Sequence, residues 1–226
     1  MKKNTFILFL VFLIAFVSST SYLYKAFMDE PYIETTTTVC IDPGHGGYDS
    51  GAIGQDGTYE KDIALEIALR TGNFITKMDP TIKVIYTRQG DEVNWPSNES
   101  EDLYSRVQIG SQADYYIAFH LNSSEDTSKS GYCFYIKNDD MTSRKICQSI
   151  NDNLKKLHYS SKEDIYTTVN YPLYVVDQLS IPSILFEIGY ISNISECKKM
   201  ETWPIQNMIA YATSQAIVKQ IQKARQ

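Results

Sequence analysis

Four side chains that could act on a substrate stand at the ends of apolar stretches in this sequence. His45 and His120 each follow a run typical of a buried strand, and Glu187 directly follows Ser-Ile-Leu-Phe. Glu60 opens a long helical pattern. A catalytic zinc ion takes three protein ligands, His₂Glu being one standard set, and leaves a fourth position for water. The remaining carboxylate would act as general base toward that water. The residue types therefore indicate a metal-dependent hydrolase, provided that the fold brings these positions together.

The spacing alone is weak support for such a site. Glu60 lies 15 residues after His45 and 60 residues before His120, so no compact metal-binding motif exists. A lone histidine at a strand end is more often structural than a ligand. A carboxylate at the end of an apolar strand is costly to bury unless it is paired or functional, which makes Glu187 informative. His158 lies in a polar stretch, and we expect it at the surface.

Strands and helices must alternate to position these groups. Apolar or β-branched runs predict strands at 37–42, 83–87, 115–120, 132–136, 173–176 and 183–187. Helical spacing of apolar residues predicts helices at 60–78, 101–111, 141–157 and 205–223. The alternation predicts a single α/β domain with a mostly parallel twisted sheet and helices on both faces. Ligands of such sheets bind beyond the carboxyl ends of the strands, where the candidate residues stand.

Composition excludes several classes of protein. The 226 residues are 43% hydrophobic, which is typical of a globular chain and not of a disordered one. Lys and Arg number 21 against 27 Asp and Glu, so we expect no nucleic-acid partner. Neither a G-x-S-x-G nucleophile elbow nor a P-loop occurs in the sequence.

Four cysteines are too few for a disulfide scaffold in a chain of this length. Cys40 and Cys133 lie inside strand-like runs, which predicts buried thiols. A bridge between Cys133 and Cys147 is the alternative.

The N-terminal residues predict export. Lys2 and Lys3 precede an apolar run from Phe6 to Val17, which fits a signal peptide. Extension through Tyr24 gives about 19 residues, close to the ~20 that a spanning helix needs. The lack of an Ala-x-Ala site favours a single-pass anchor over a cleaved signal. We expect a signal or anchor over 1–27, a linker over 28–35 and a catalytic domain over 36–226, at the outer face of the cytoplasmic membrane or in the cell wall.

A family resemblance rests on six blocks that occur in a fixed order. The segment Val-Cys-Ile-Asp-Pro-Gly-His-Gly-Gly at 39–47 resembles the opening signature of the zinc-dependent N-acetylmuramoyl-L-alanine amidases of the amidase 3 family. Further matching blocks are Glu60-Lys61, Thr87-Arg88 with Asp91, Leu103 with Arg106, His120-Leu121-Asn122, and Phe-Glu-Ile-Gly-Tyr-Ile-Ser-Asn at 186–193. The resemblance covers roughly residues 36–222.

The resemblance implies cleavage of the amide bond between N-acetylmuramic acid and L-alanine in peptidoglycan. His45, Glu60 and His120 match the family's ligands for one zinc ion per chain, and Glu187 matches its catalytic glutamate. Peptidoglycan is then the substrate, and the N-terminal segment would contact the membrane.

Three further polar residues have weaker assignments under the same resemblance. Asp42 and Asn122 are candidates for supporting the ligands or orienting the substrate. Arg106 either contacts the substrate or has a structural role on its helix, and the sequence leaves both alternatives open.

Two features resemble the sporulation-type amidases, which help make muramic-δ-lactam in spore cortex. One is an extended segment with Trp95 between Asp91 and Leu103, and the other is a bare catalytic domain behind one hydrophobic segment. The interval from Asn122 to Glu187 leaves no room for a long occluding helix. We therefore expect no built-in autoinhibition, and control by an activating or localising protein. The alternatives are a zinc peptidase that cuts within the stem peptide and a catalytically silent wall-binding adaptor.

Overall fold

The computed structural model describes Phe16, residues 36–159 and residues 163–226. The predicted signal or anchor at 1–27, apart from Phe16, and the linker at 28–35 lie outside the described residues. In the part of the chain that the structure describes, no helix has the length and apolar character needed to cross a membrane.

Six strands and six helices make up residues 37–224. The strands are β1 Thr37–Pro43, β2 Ile82–Tyr86, β3 Tyr115–Asn122, β4 Tyr132–Ile136, β5 Glu163–Thr167 and β6 Ser183–Tyr190. The helices are α1 Glu60–Met78, α2 Glu99–Gly110, α3 Met141–Lys156, α4 Tyr174–Asp177, α5 Ile194–Met200 and α6 Trp203–Ala224.

The strands form one sheet in the order β2-β1-β3-β6-β4-β5. Strands β2, β1, β3 and β6 are mutually parallel, β4 is antiparallel to β6, and β5 is parallel to β4. Strands β3 and β6 are largely apolar, as is typical of parallel strands that helices cover on both faces. The predicted α/β fold is confirmed.

The two faces of the sheet have separate cores. The larger core joins the sheet to α1, α3 and α6, and Phe119 and Phe186 are fully buried in it. The smaller core joins the sheet to α2 and α4 through residues such as Tyr116, Leu185 and Val176. Successive side chains of β3 and β6 point alternately into the larger and the smaller core. His120 and Glu187 lie on the same face of the sheet as the smaller core, near the carboxyl ends of these strands.

The predicted strand at 173–176 is wrong. Residues Tyr174–Asp177 form the single helical turn α4, in which the Val176 amide donates to the carbonyl of Leu173. The Asp177 carboxylate accepts from the Leu173 amide, which stabilises the start of the turn. The turn places Val175 and Val176 in the smaller core, so burial there and not strand pairing explains the apolar run.

The sequence pattern did not predict two elements of the structure, β5 and α5. The edge strand β5 has the sequence Glu-Asp-Ile-Tyr-Thr, and its polar residues hide the strand pattern. Helix α5 is short and polar, and the side chain of Asn193 caps it by accepting from the amides of Ser195 and Glu196. Both elements gain their stability from tertiary contacts that a local pattern does not reveal.

The remaining predictions differ from the structure mainly at element ends. Strands β3 and β6 extend beyond their predicted ends, to Asn122 and Tyr190. His158 is exposed, as predicted. All four cysteines are free and buried, so the thiol prediction is confirmed and the alternative bridge is not formed.

Candidate active site

Three of the predicted site residues converge beside the ends of two neighbouring parallel strands. His45 follows β1, His120 lies near the end of β3, and Glu60 is the first residue of α1. The Oε1 atom of Glu60 lies 3.0 Å from His45 Nε2 and 3.1 Å from His120 Nδ1. The two imidazole nitrogens are themselves 3.1 Å apart. Three atoms that can each donate a lone pair to a metal ion therefore lie within 3.1 Å of one another. We call these three residues the His₂Glu cluster.

The His₂Glu cluster fits a metal ion. Its three ligand atoms form a group within 4.8 Å of one another. Ligands of a tetrahedral zinc ion lie about 2.1 Å from the metal, and hence about 3.4 Å from one another. The His45 and His120 rings meet edge to face, with centroids 4.8 Å apart. Two imidazoles and a carboxylate match the donor set of a catalytic zinc site.

Hydrogen bonds outside the cluster orient its members. Asp49 Oδ2 lies 2.7 Å from His45 Nδ1, an arrangement that fixes the proton on Nδ1 and leaves Nε2 free as a ligand. Glu60 accepts from the amides of Leu121, at 2.8 Å, and Ala52, at 2.9 Å. The sequence analysis missed Asp49. Its signal was a carboxylate four residues after a histidine in a Gly-rich loop.

The electrostatics of the cluster favour a charged carboxylate. Burial alone would raise the pKa of Glu60, but hydrogen bonds and charge from His120 and His45 hold it well below its usual range. Burial would lower the pKa of His45, yet Glu60 and Asp49 raise it to about 9. The negative charge of the Glu60 carboxylate thus favours a positive charge at the centre of the cluster.

The loop after β1 requires glycine where it approaches other parts of the site. A Cβ on Gly44 would lie 2.4 Å from the His120 ring, and a Cβ on Gly46 would lie 2.7 Å from the Arg88 side chain. His45 has a φ of 59°, which is unusual for a residue with a side chain. The backbone at His45 is thus held in a conformation that it would rarely adopt alone.

Arg106 stabilises the loop after β1 through hydrogen bonds to its backbone. Its guanidinium donates to the carbonyl oxygens of Pro43, at 3.0 Å, and His45, at 2.6 Å. It also pairs with the buried carboxylates of Asp42 and Asp102. Every one of these contacts is internal to the protein, which favours the structural alternative for Arg106.

Asp42 supports the loop in the same way. Its fully buried carboxylate accepts from the hydroxyls of Thr87 and Tyr116 and from Arg106. Burial opposes ionisation, but the Arg106 charge and these hydrogen bonds lower the pKa of Asp42. The indole of Trp95 lies over the Arg106 guanidinium at 5.4 Å, so the extended segment before α2 packs on this network.

Glu187 lies beside the cluster on the next strand. The register of β6 places it opposite His120 of β3. Its Oε2 atom is buried without a hydrogen-bond partner among the described residues. Burial raises the pKa of Glu187 to about 7, against the opposing charge of His120. A carboxylate with a pKa near neutrality is suited to accept and return a proton.

Asn122 is the last residue of β3, and its side chain is directed toward β4. Its amide nitrogen is 3.9 Å from Cys133 Sγ, and its Oδ1 accepts from the Ser123 amide. Among the described residues, none of its hydrogen bonds reaches a ligand of the cluster. The Asn122 side chain thus contacts Cys133, the residue that pairs with Glu187 across β4 and β6, and not the members of the His₂Glu cluster.

Two cavities flank this centre. The larger one, of about 670 Å³, reaches His45 and His120 and is also lined by Tyr48, Leu103 and Tyr174. The smaller one, of about 230 Å³, is lined by Asn122 and five tyrosines, among other residues. The side chains of His45 and His120 remain 22% and 19% exposed, so a substrate can reach the cluster.

Comparisons with known proteins agree with this geometry. Residues 39–219 match the family model described as "Amidase_3: N-acetylmuramoyl-L-alanine amidase". A germination-specific N-acetylmuramoyl-L-alanine amidase of Bacillus subtilis (strain 168) is 28% identical over 190 residues, which cover 80% of this chain and 78% of that protein.

Solved structures show the same relationship. The CwlD amidase of Clostridioides difficile, solved in complex with the GerS lipoprotein, is 29% identical, and the match covers 83% of this chain and 100% of that one, with a TM-score of 0.74. The catalytic domain of CwlV, an N-acetylmuramoyl-L-alanine amidase from Bacillus (Paenibacillus) polymyxa var. colistinus, is 26% identical, and the match covers 83% and 99%, with a TM-score of 0.72.

An α/β domain whose His₂Glu cluster can hold a metal ion beside a further glutamate is an arrangement typical of metal-dependent hydrolases. Within that class, the chain belongs to the amidase 3 family of N-acetylmuramoyl-L-alanine amidases. The predicted family and enzyme class are thereby confirmed. Membership weighs against both the peptidase and the silent adaptor, which were the alternatives.

Proposed function

We propose that this chain hydrolyses the amide bond between the lactyl group of N-acetylmuramic acid and L-alanine, with one zinc ion held by His45, Glu60 and His120. The observation that carries the proposal is the convergence of three ligand atoms at 3.0–3.1 Å beside Glu187. Zinc, when bound, supplies polarisation of the scissile carbonyl and a lowered pKa for water.

Other residues of the chain transfer the proton and keep the proposed ligands in position. Glu187 accepts the proton of the attacking water and returns it to the alanine nitrogen as the C–N bond breaks. Asp49 keeps the Nε2 atom of His45 free to bind the metal. Arg106 and Arg88 hold the carbonyl groups of the loop after β1, so the ligand His45 keeps its position.

Release of peptides from purified peptidoglycan tests this activity. We expect the full chain to liberate stem peptides with free L-alanine amines, and we expect a chelator to abolish the release and added zinc to restore it. Glu187→Gln should bind zinc but lower turnover of a muropeptide by about 10²-fold or more. Products cut inside the stem peptide would instead identify a zinc peptidase.

The relatives support a role in spore peptidoglycan. The B. subtilis relative is named germination-specific, and the C. difficile relative was solved with a lipoprotein. We infer that this chain acts outside the cytoplasm on cortex peptidoglycan and that an activating or localising protein controls it. Residues 36–226 form the catalytic domain in this proposal, and 1–27 act as a membrane anchor in preference to a cleaved signal.

Muropeptide analysis of a deletion strain tests this assignment. Loss of muramic-δ-lactam from spores, with unchanged vegetative peptidoglycan, is the expected result. A change confined to vegetative cells would contradict the assignment to spores. Cell fractionation would separate an anchored chain in the membrane from a cleaved chain in the wall.

A further inference from the structure

Glu187 separates the His₂Glu cluster from a second set of side chains. The strand register places His120 of β3 on one side of Glu187 and Cys133 of β4 on the other, and Asp164 of β5 lies beyond Cys133. Residues directly opposite in neighbouring strands face the same side of a sheet. Because strands are about 4.8 Å apart, the row runs from the cluster, past Glu187, to the sheet edge.

The end of this row is a pocket lined with tyrosines. The smaller cavity, of about 230 Å³, is lined by Tyr135, Tyr166, Tyr171 and Tyr190 together with Asn122, and we call it the tyrosine pocket. The rings of the first three lie together, with centroid separations of 5.3, 5.7 and 5.4 Å. Tyr171 is 50% exposed, so part of this aromatic surface is open to a ligand.

The wall of the tyrosine pocket is fixed by hydrogen bonds. The Glu196 carboxylate accepts from the amides of Gly131 and Tyr190, both at 2.9 Å, and so ties two sides of the pocket together. The Asn193 side chain donates to the Lys129 carbonyl at 3.1 Å. A pocket held in this way loses little further freedom when a ligand binds.

The charges that line the two cavities differ. Lys129 contributes an ammonium group to the tyrosine pocket, where Asp164 already accepts from the Tyr166 hydroxyl at 2.9 Å. The larger cavity is lined by four carboxylates, those of Asp42, Asp49, Glu99 and Asp102, and by one guanidinium, that of Arg106. A ligand with carboxylate groups therefore meets less negative charge in the tyrosine pocket, whereas a sugar without charge is not affected by this difference.

We propose that the tyrosine pocket binds the peptide that leaves the enzyme, and that the larger cavity holds the muramoyl sugar. The inference rests on the proposed function. In that reaction water forms the new C–O bond, the C–N bond breaks, and Glu187 passes the water proton to the leaving nitrogen. The scissile carbonyl lies at the cluster and the nitrogen lies toward Glu187, so the chain beyond the nitrogen continues into the tyrosine pocket.

Binding of the two reaction products to the zinc-loaded full chain tests the proposal. One probe is a synthetic stem tripeptide with a free amino terminus, and the other is a peptide-free disaccharide that contains N-acetylmuramic acid. The pocket variants are Tyr171→Ala and Lys129→Ala, both at exposed positions. Tyr48→Ala changes the larger cavity, and Tyr211→Ala removes an exposed tyrosine of α6 as a control.

We expect Tyr171→Ala and Lys129→Ala to weaken tripeptide binding roughly three- to tenfold and to leave disaccharide binding unchanged. Tyr48→Ala should do the reverse, and Tyr211→Ala should change neither affinity. A loss confined to the disaccharide in the pocket variants would overturn the proposal, as would an unchanged tripeptide affinity or a wild-type chain that binds no tripeptide.

Amidase activity of the same preparations separates the two proposals. Active enzyme whose tripeptide affinity does not respond to the pocket variants would contradict the subsite and leave the proposed function standing. Inactive wild-type protein whose tripeptide affinity falls in those variants would contradict the proposed function and leave a peptide site at this pocket.

Discussion

At the scale of single residues, the chemistry depends on carboxylates in contrasting environments. Glu60 is held ionised by two histidines, whereas the Oε2 atom of Glu187 is buried and has no hydrogen-bond partner among the described residues. The two side chains are of one type, but their surroundings shift their pKa values in opposite directions, which suits Glu60 to the proposed role of ligand and Glu187 to that of proton carrier. The sequence could identify both carboxylates but not the direction in which each pKa is displaced.

The buried Glu187 predicts a pH-dependent cost in the metal-free chain. Its pKa is about 7 in the folded state against 4.5 ordinarily, so the folded state binds the proton more tightly. The cost is absent below pH 4.5, grows as pH rises and is complete above about 7. Glu187→Gln should therefore raise the free energy of unfolding at pH 8 by up to about 3 kcal/mol, and change it little at pH 4.5.

Urea unfolding of chelator-treated protein at the two pH values measures this effect. Glu125→Gln, at an exposed position, is the matched control and should show no such dependence on pH. Equal stability of wild type and Glu187→Gln at pH 8 would refute the burial argument.

At the scale of elements, helix α2 and the loop after β1 form one unit. Arg106 projects from α2 to the carbonyls of Pro43 and His45, and it pairs with Asp42 of β1. The N-cap of α2 is Asn98, which accepts from the Glu101 amide at 3.0 Å. The position of His45 therefore depends on a helix that contributes no residue to the His₂Glu cluster.

Arg106→Met should destabilise the protein strongly. The substitution leaves the Asp42 carboxylate buried without its ion-pair partner, which costs about 3–5 kcal/mol in comparable sites. Arg70→Met is the control, because the Arg70–Glu66 pair is partly exposed and should cost less than about 1 kcal/mol. Urea unfolding measures both variants, and equal losses would argue against the buried network.

The elements that the sequence predicted best are those with the simplest environment. Strands β1, β3 and β6 are buried on both faces, so their apolar runs identify them directly. Strand β5 at the edge and the short helix α5 are polar and depend on neighbours. The run at 173–176 has the composition of a strand, but a helical turn buries Val175 and Val176 equally well.

At the scale of the whole molecule, metal binding should couple to stability. The proposed ligands come from the loop after β1, from α1 and from β3, so a bound ion would link segments that lie far apart in the chain. Zinc at about 100 times its dissociation constant should add about 2.7 kcal/mol. The expected rise in Tm is roughly 5–10 °C for a chain of this size.

Thermal unfolding with and without zinc measures this coupling. His45→Ala should abolish the shift, while His158→Ala, at an exposed histidine outside the cluster, should retain it. A shift that survives in His45→Ala would show that the ligand assignment is wrong.

The amino-acid sequence by itself determined the family and the fold class, and it selected His45, Glu60, His120 and Glu187 as candidate site residues, because strand-end polar groups and ordered motifs are local signals. Only the tertiary structure decided how those residues meet, since the distances between the ligands depend on strand order and register. It also decided the role of Arg106, the contact of Asp49 with His45 and the existence of the tyrosine pocket. These features join segments that are separate in the chain, and only folding brings their side chains into contact.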